Sequence, residues 1–353
     1  MGRKMKNTVL KFSMLFAVAL FCAGFVSCKK EKTEYIDEFG CYEQTSEAIE
    51  AATAADKNIL LIITMNGDDS ESDKFTQSFF KSSDFENLIA KDYVLLHFDL
   101  GQKSFERTTA GANASKKEKE AADEFSEILQ LNFRFAQLLG ISYTPCVFLL
   151  TKQGYFISEL PASPNEYSPS AFSTVLDSFK ALKDEFNSLA AATENGSVVE
   201  RVNAIDALYN RTDEDHRILL LDLTRKVVDI DFDNKSGLLS KYLFETSVNL
   251  AMYCMLDNDI EGAVQSIVSV CSNPNLEPLD KQNAWYMAAY ILMNSYSTDY
   301  NTILTYLQAS VMSAPESEIA PQIQQMYDYV KSAVEESEAQ AQQNSLNLNQ
   351  SVQ

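Results

Sequence analysis

The residues Asn66 to Phe75 read NGDDSESDKF and follow the apolar run NILLIITM. A buried strand that opens through a polar turn into a helix leaves the first backbone amides of that helix free to hold a nucleophile or an anion. This turn carries acids and serines, with no cysteine, no histidine and no lysine before Lys74. Asp69 and Ser72 can serve there as capping acceptors for the amides. Neither can exchange a disulfide.

The other residues with chemical potential are scattered. Cys146 follows Thr144-Pro145 and is the thiol best placed to act alone, with Cys41 as its candidate partner. A single thiol without a neighbouring histidine or a resolving cysteine is poor material for catalysis. Free cysteine also packs as a small hydrophobe, so the expected role of Cys146 is to begin a buried strand. Cys254 and Cys271 flank the turn Asp257-Asn258-Asp259. In a hairpin centred there the two thiols fall about nine residues, or ~13 Å, out of step along the helix, beyond the reach of a disulfide. Both are expected to stay as free buried thiols. His97 lies inside YVLLHFDL and His216 at a helix start; each is isolated, and a structural role is expected of both.

Three acidic runs resemble calcium loops only in part. DDSESD lacks the loop glycine; Asp229, Asp231 and Asp233 meet Ser240 at the twelfth position; Asp257, Asp259, Glu261 and Gly262 meet Val268 there. Each lacks the bidentate glutamate an EF-hand uses. Solvated acids at turns and helix starts are expected, with no metal and no cofactor.

The N-terminus places these residues in a compartment. MGRKMKNTVLK is basic and leads into FSMLFAVALFCAGFV, the charged and apolar regions of a secretory signal, too short to span a bilayer comfortably. It ends in Phe25-Val26-Ser27-Cys28, which resembles a bacterial lipobox with Phe25 where leucine is usual. The resemblance implies cleavage after residue 27 and lipidation of Cys28. Two acyl-type chains would hold the protein to a membrane surface without crossing it. Residues 28–45 are charged, without apolar periodicity, and read as a flexible tether.

Residues 1–27 hold four Lys or Arg and no acid, so 25 basic residues face 50 acidic ones in the remainder. Such a surface repels nucleic acid and favours solubility or cationic partners. The 353 residues, 46% of them hydrophobic, suffice for about two cores.

The elements that must position the chemistry follow from pattern. A helix is expected from Ser46, a strand over Asn58 to Met65, a helix carrying Phe75 and Phe79, and a further helical turn opened by a capping box of Ser83 and Glu86. A second strand spans Tyr93 to Leu100. A polar insert then leads to a helix from about Ala121 to Leu139. The strand CVFLL is joined by the turn TKQG to YFISEL, and one long helix starts at Ser168-Pro169 and runs to about Ala192. Strands separated by a helix are expected to be parallel and the last pair antiparallel, giving a mixed sheet covered by helices on both faces.

KNILLIIT, KSSDFENLIAKDYVLLHFDL, FAQLLGISYTPCVFLL and KQGYFISEL together resemble a thioredoxin-like domain over residues 46–192. The resemblance implies that Thr144-Pro145 is the family's cis-proline loop, whose preceding backbone pairs with an extended peptide. It also puts Asp69 and Ser72 where the two cysteines of the catalytic CxxC belong. Residues 193–335 show seven amphipathic segments with short polar joints, an all-α array of helical hairpins that resembles tetratricopeptide repeats in part, with prolines 41 residues apart. Trp285, Tyr286 and Tyr290 form an aromatic stripe expected to be core. Residues 336–353 are polar and expected to lack structure.

The expectation is therefore a membrane-tethered, redox-inactive thioredoxin-like binding protein of the bacterial cell envelope that engages a peptide or protein partner. Its alternative is a thiol oxidoreductase or isomerase built on Cys146.

Overall fold

The structure is a computed structural model that describes residues 35–162 and 166–351. The signal segment and Cys28 lie outside the described residues. The chain forms two compact units, one of residues up to Phe133 with Ser142–Gly154 and Ser158–Phe179, the other of Arg134–Ile141, Tyr155–Ile157 and Lys180 onward.

The first unit is built on a sheet of β1 (Ile59–Thr64), β2 (Val94–Asp99), β3 (Cys146–Leu150) and β4 (Phe156–Leu160) in the order β2-β1-β3-β4. β1 is parallel to β2, with Ile59 opposite Val94 and Thr64 opposite Asp99. All residues of β1 and β3 are buried, as continuous apolar strands require of a sheet covered on both faces. β3 runs antiparallel to β1, with Ile63 opposite Cys146. A helix between β2 and β3 therefore does not make β3 parallel to its neighbour. The polar insert supplies the extra chain that brings β3 in from the end at which β2 leaves.

Helices α1 (Thr45–Ala55), α2 (Ser70–Ser78), α3 (Gln102–Arg107), α4 (Lys116–Leu138) and α5 (Pro169–Ser178) accompany the sheet. Phe75 and Phe79, one helical turn apart, bring their rings to 4.8 Å, and Phe172 of α5 meets both edge-on at 5.8 and 5.0 Å. Such pairs add about 0.5–1.5 kcal/mol each beyond the area they bury. Ser168 caps α5 by accepting from the Ala171 amide, with Pro169 in the first turn.

Several expectations are corrected. The helical turn after Ser83 is a π-turn, Glu86–Ala90, with no side-chain cap, so the Ser83 and Glu86 box does not form. The polar insert folds its first residues into α3, and α4 begins at Lys116, because lysine and glutamate propagate a helix as well as the apolar residues that follow them. The long helix expected over 168–192 is two, broken at Phe179, whose backbone lies at φ −86° and ψ 2°. The second piece belongs to the second unit, so the boundary falls at Lys180 rather than Thr193.

The tether also ends sooner than its charge suggested. Residues from Tyr35 form a strap along β2. Tyr42 bridges Leu96 in parallel, donating from its amide to Leu95 at 2.9 Å and accepting from the His97 amide at 2.8 Å, and Ile36 bridges Tyr42. Cys41 is fully buried and Phe39 stacks on Phe80 with ring centres 4.5 Å apart. The strap covers an edge that would otherwise offer open pairing groups. Its turn is fastened by Asp37, which takes the Phe39 and Cys41 amides at 2.9 Å on one oxygen and meets His97 Nδ1 at 2.6 Å with the other.

The second unit contains α6 (Lys180–Ala192), α7 (Val198–Arg211), α8 (Leu221–Ile230), α9 (Leu239–Leu256), α10 (Ile260–Val270), α11 (Pro278–Asn294), α12 (Tyr300–Ser313) and α13 (Ala320–Ser351), with a 3-10 turn Glu214–Leu220 before α8. Each helix packs on the next, and α9 also meets α11. Side-chain caps start three of them: Ser197 forms a capping box with Glu200 at α7, and Asp259 and Asp299 cap α10 and α12. A β-carbon at Gly262 would lie 2.1 Å from an Asp259 oxygen, so the cap itself demands the small residue. Trp285 packs beside Ala284 and Ala288 in the core and tilts against Tyr306 at 5.3 Å, whereas Tyr290 is exposed. The tail expected to lack structure continues α13 to Ser351; no proline or glycine after Pro321 interrupts it.

Burial works against the charge of Asp37, but its interactions with His97 and the amides of Cys41 and Phe39 outweigh that, and the carboxyl titrates below its usual range. Its contribution to stability is thus complete above the unfolded-state value of about 3.9 and is lost as pH falls through the lower folded-state value. Replacing Asp37 by Ala strands His97, 3% exposed, without its charged partner. Urea unfolding of the first unit should show a loss of about 1–3 kcal/mol at neutral pH, the cost of leaving a buried ring nitrogen and the strap amides unpaired. The difference between the variant and the wild type should shrink as the pH is taken below about 4.

Candidate functional site

The turn after β1 and the loop before β3 meet at one end of the sheet, because Thr64 and Cys146 end and begin neighbouring strands. Asp69 is the N-cap of α2, with extended backbone. Its Oδ1 accepts from the Glu71 amide at 3.1 Å, and its Oδ2 from the Ser72 amide at 3.1 Å, the Ser72 hydroxyl at 2.7 Å and the Thr144 hydroxyl at 2.9 Å. The Ser72 oxygen in turn accepts from the Met65 amide at 3.0 Å. Asp69, Ser72 and Thr144 therefore share one set of hydrogen bonds, and the Thr144-Pro145 bond is cis.

Asp69 and Ser72 are spent on holding this geometry. Ser72 is fully buried. Burial opposes the Asp69 charge, yet the hydrogen bonds from Ser72, Thr144 and the two amides outweigh it and pull the carboxyl below its usual range. Elsewhere in the same acidic run, Asp73 accepts from the Gly67 amide at 3.1 Å and Glu71 pairs with Lys74. These acids close a loop. Among the described residues no group of three His, Cys, Asp or Glu side chains is arranged to hold a metal ion. In the second run Asp231 is fully buried rather than solvated, accepting from the Lys235 amide at 2.8 Å and the Ser236 hydroxyl at 2.5 Å.

Cys146 is 2% exposed, and its thiol donates to the Tyr143 carbonyl. Burial, with the charge of Glu159 behind it, pushes its pKa up to about 12. A reactive thiol needs the opposite shift. Cys41 is also raised by burial, and by the neighbouring Asp37 carboxylate. It sits beside Tyr42, which is separated from β3 by β2 and β1; three strand spacings amount to ~14 Å, too far for the two thiols to pair. Cys254 and Cys271 are free, with Cys254 near Ser266, and only Cys271 is buried.

The loop before Pro145 has a different character. Tyr143 is 58% exposed, and among the described residues the amides of Ser142, Tyr143 and Thr144 find no acceptor. Sequence reasoning missed the partners of His97. Its Nδ1 meets Asp37 and its Nε2 meets Thr64 Oγ1 at 2.9 Å; Thr64 also accepts from Asn66 Nδ2 at 3.0 Å, and Asn66 Oδ1 accepts from Thr76 at 2.8 Å. A histidine in an otherwise apolar strand was the one available signal. His216 stacks on Phe156 with ring centres 3.7 Å apart.

Residues 238–336 match a family described as "Uncharacterised protein C-terminal domain". A Treponema pallidum (strain Nichols) protein, described as "Uncharacterized protein", is 28% identical over 127 residues, which is 36% of this chain and 42% of that relative. Less than half of that relative's length is therefore matched. Among solved structures, a DsbH oxidoreductase is matched over 44% of this chain and 95% of its own, at 14% identity and a TM-score of 0.30. The thioredoxin-like arrangement of the first unit is read from its strand order, its register and the proline at the head of β3.

Truncating Asp69 to Ala removes an N-cap and a link to Thr144, and should cost about 1–2 kcal/mol in urea unfolding of the first unit at neutral pH. With a depressed folded-state value, this stabilisation is present above about 3.9 and fades as pH drops through the folded-state value. Native Cys146 should react with iodoacetamide at pH 8 more than ~100-fold slower than the unfolded chain does, measured by mass spectrometry of the labelled peptide.

Proposed function

We propose that this protein is lipid-anchored in the bacterial cell envelope through Cys28 and that its thioredoxin-like unit binds without redox chemistry, holding an extended peptide or protein segment against the Thr144-Pro145 loop. The amides of residues 142–144, unpaired among the described residues in a loop where Ser142 and Tyr143 are exposed and Thr144 is half-buried, carry this reading. An extended segment could pair with them as an added strand, the backbone supplying affinity and Tyr143 supplying selectivity. Asp69 and Ser72 support it from beneath: at the place where the resemblance puts two sulfurs, a carboxylate and a hydroxyl hold the loop in position. The buried, weakly acidic Cys146 favours binding over thiol exchange. The hairpin array of the second unit offers a further surface of the kind that holds partner segments.

Hydrogen exchange gives the direct test. A random library of unstructured peptides, screened against the immobilised protein, should yield ligands that slow exchange at residues 142–144 and that bind at least tenfold more weakly to Tyr143→Ala. Peptides that bind without protecting those amides would sink the proposed site. Protein-dependent reduction of insulin, abolished in Cys146→Ser, would replace it with the oxidoreductase reading. For the anchor, Cys28→Ser should move the protein from the detergent phase to the aqueous phase in a Triton X-114 partition.

A further inference from the structure

A concavity lies in the first unit, and none of residues 142–146 lines it. It has a volume of about 320 Å³ and lies between the strap residues 36–39 and the segments that follow β1 and β2. Crevices at the carboxyl ends of parallel strands are where α/β sheets commonly take ligands. At the ~30 Å³ one water takes in the liquid, this space equals that of roughly ten waters.

Most of the polar wall is already satisfied. Both nitrogens of His97, both ends of the Asn66 amide and both oxygens of Asp37 are used within the chain. Glu43 is held by both terminal nitrogens of Arg107. Four groups remain. The three hydrogen bonds to Asp99, from Thr64 Oγ1 and the amides of Asn66 and Gly101, all fall on Oδ1. Its Oδ2 has no partner among the described residues, and the same holds for the carboxylate of Glu38, the ammonium of Lys103 and the hydroxyl of Ser104. Ser104 is only 4% exposed and lines the cavity. Its oxygen keeps solvent access, and its hydrogen-bonding capacity is free for whatever enters the cavity.

The leftover set is therefore the Asp99 oxygen, the exposed Glu38 carboxylate, one ammonium and one hydroxyl around a small space. A metal ion is poorly served, since a hard cation wants six or more oxygens. A purely anionic ligand would face Asp99 and Glu38, and a purely cationic one would face Lys103. We propose that this cavity binds a small ammonium carboxylate zwitterion, a free α-amino acid being the simplest member. Its ammonium would donate to Asp99 and Ser104, and its carboxylate would accept from Lys103. The site shares no side chain with the Thr144-Pro145 loop and stands or falls without it.

Isothermal titration calorimetry of the full chain with glycine, L-alanine, L-glutamate and L-lysine tests it, with ethylammonium and propionate as single-charge controls. At least one amino acid should bind saturably at one site per chain, and both controls at least tenfold more weakly. Lys103→Met and Ser104→Ala should each weaken that binding fivefold or more while leaving the urea unfolding curve in place, Lys103 being exposed. No saturable heat from any of the four amino acids overturns the proposal. Binding unchanged in both variants, or a control that binds as tightly as the amino acid, overturns it too.

Discussion

The carboxylate of Asp69 joins parts of the first unit that are far apart in sequence. On one side it takes the free amides at the start of α2, where the helix dipole favours a negative charge. On the other it reaches Thr144, 75 residues later, at the head of β3. Ser72 extends the link by accepting from Met65, so the end of β1, the start of α2 and the proline loop share one set of hydrogen bonds. In a thiol oxidoreductase the same amides would stabilise a thiolate. Here an oxygen anion occupies them permanently, and what would have been reactive becomes structural.

How much of this was legible depended on whether the cause was local. β1 and β3 were plain because a strand buried on both faces must be apolar throughout, and ILLIIT and CVFLL are apolar but for one threonine. The cap at Ser168-Pro169 was equally plain, since its partner lies three residues away. The strap was not. Its fastening depends on Asp37 finding His97 sixty residues later, and the polarity that made it look like a tether is the polarity that binds it. The break at Phe179 was hidden for a related reason: no proline or glycine marks it, and tertiary packing overrode an uninterrupted helical pattern. The site was half legible. The thioredoxin-like resemblance pointed to Asp69, Ser72 and Thr144, but nothing local pointed to the polar chain running from His97 through Thr64 to Asn66.

Polar contacts at a distance organise the second unit as well. Gln282 is fully buried in α11 and donates to the carbonyls of Ser310 and Ala314 at 3.3 and 2.9 Å, while Ser310 donates back to the Gln282 carbonyl at 2.7 Å. A buried amide is costly unless satisfied, so this network selects one register between α11 and the end of α12 over neighbouring slips that apolar packing alone would tolerate. Around it the core is built of alanines, Ala284, Ala288 and Ala289, which let the helices approach closely.

The early end of the tether sets a limit on standing height. Between Cys28 and Tyr35, the first residue of the strap, lie seven peptide units, which covalent geometry extends to at most ~25 Å. With the proposed anchor in a bilayer, the start of the strap cannot rise further than that above the lipid headgroups. The sheet border that the strap closes would be held near the membrane, and any partner would have to be one that can work within that thin layer of solvent.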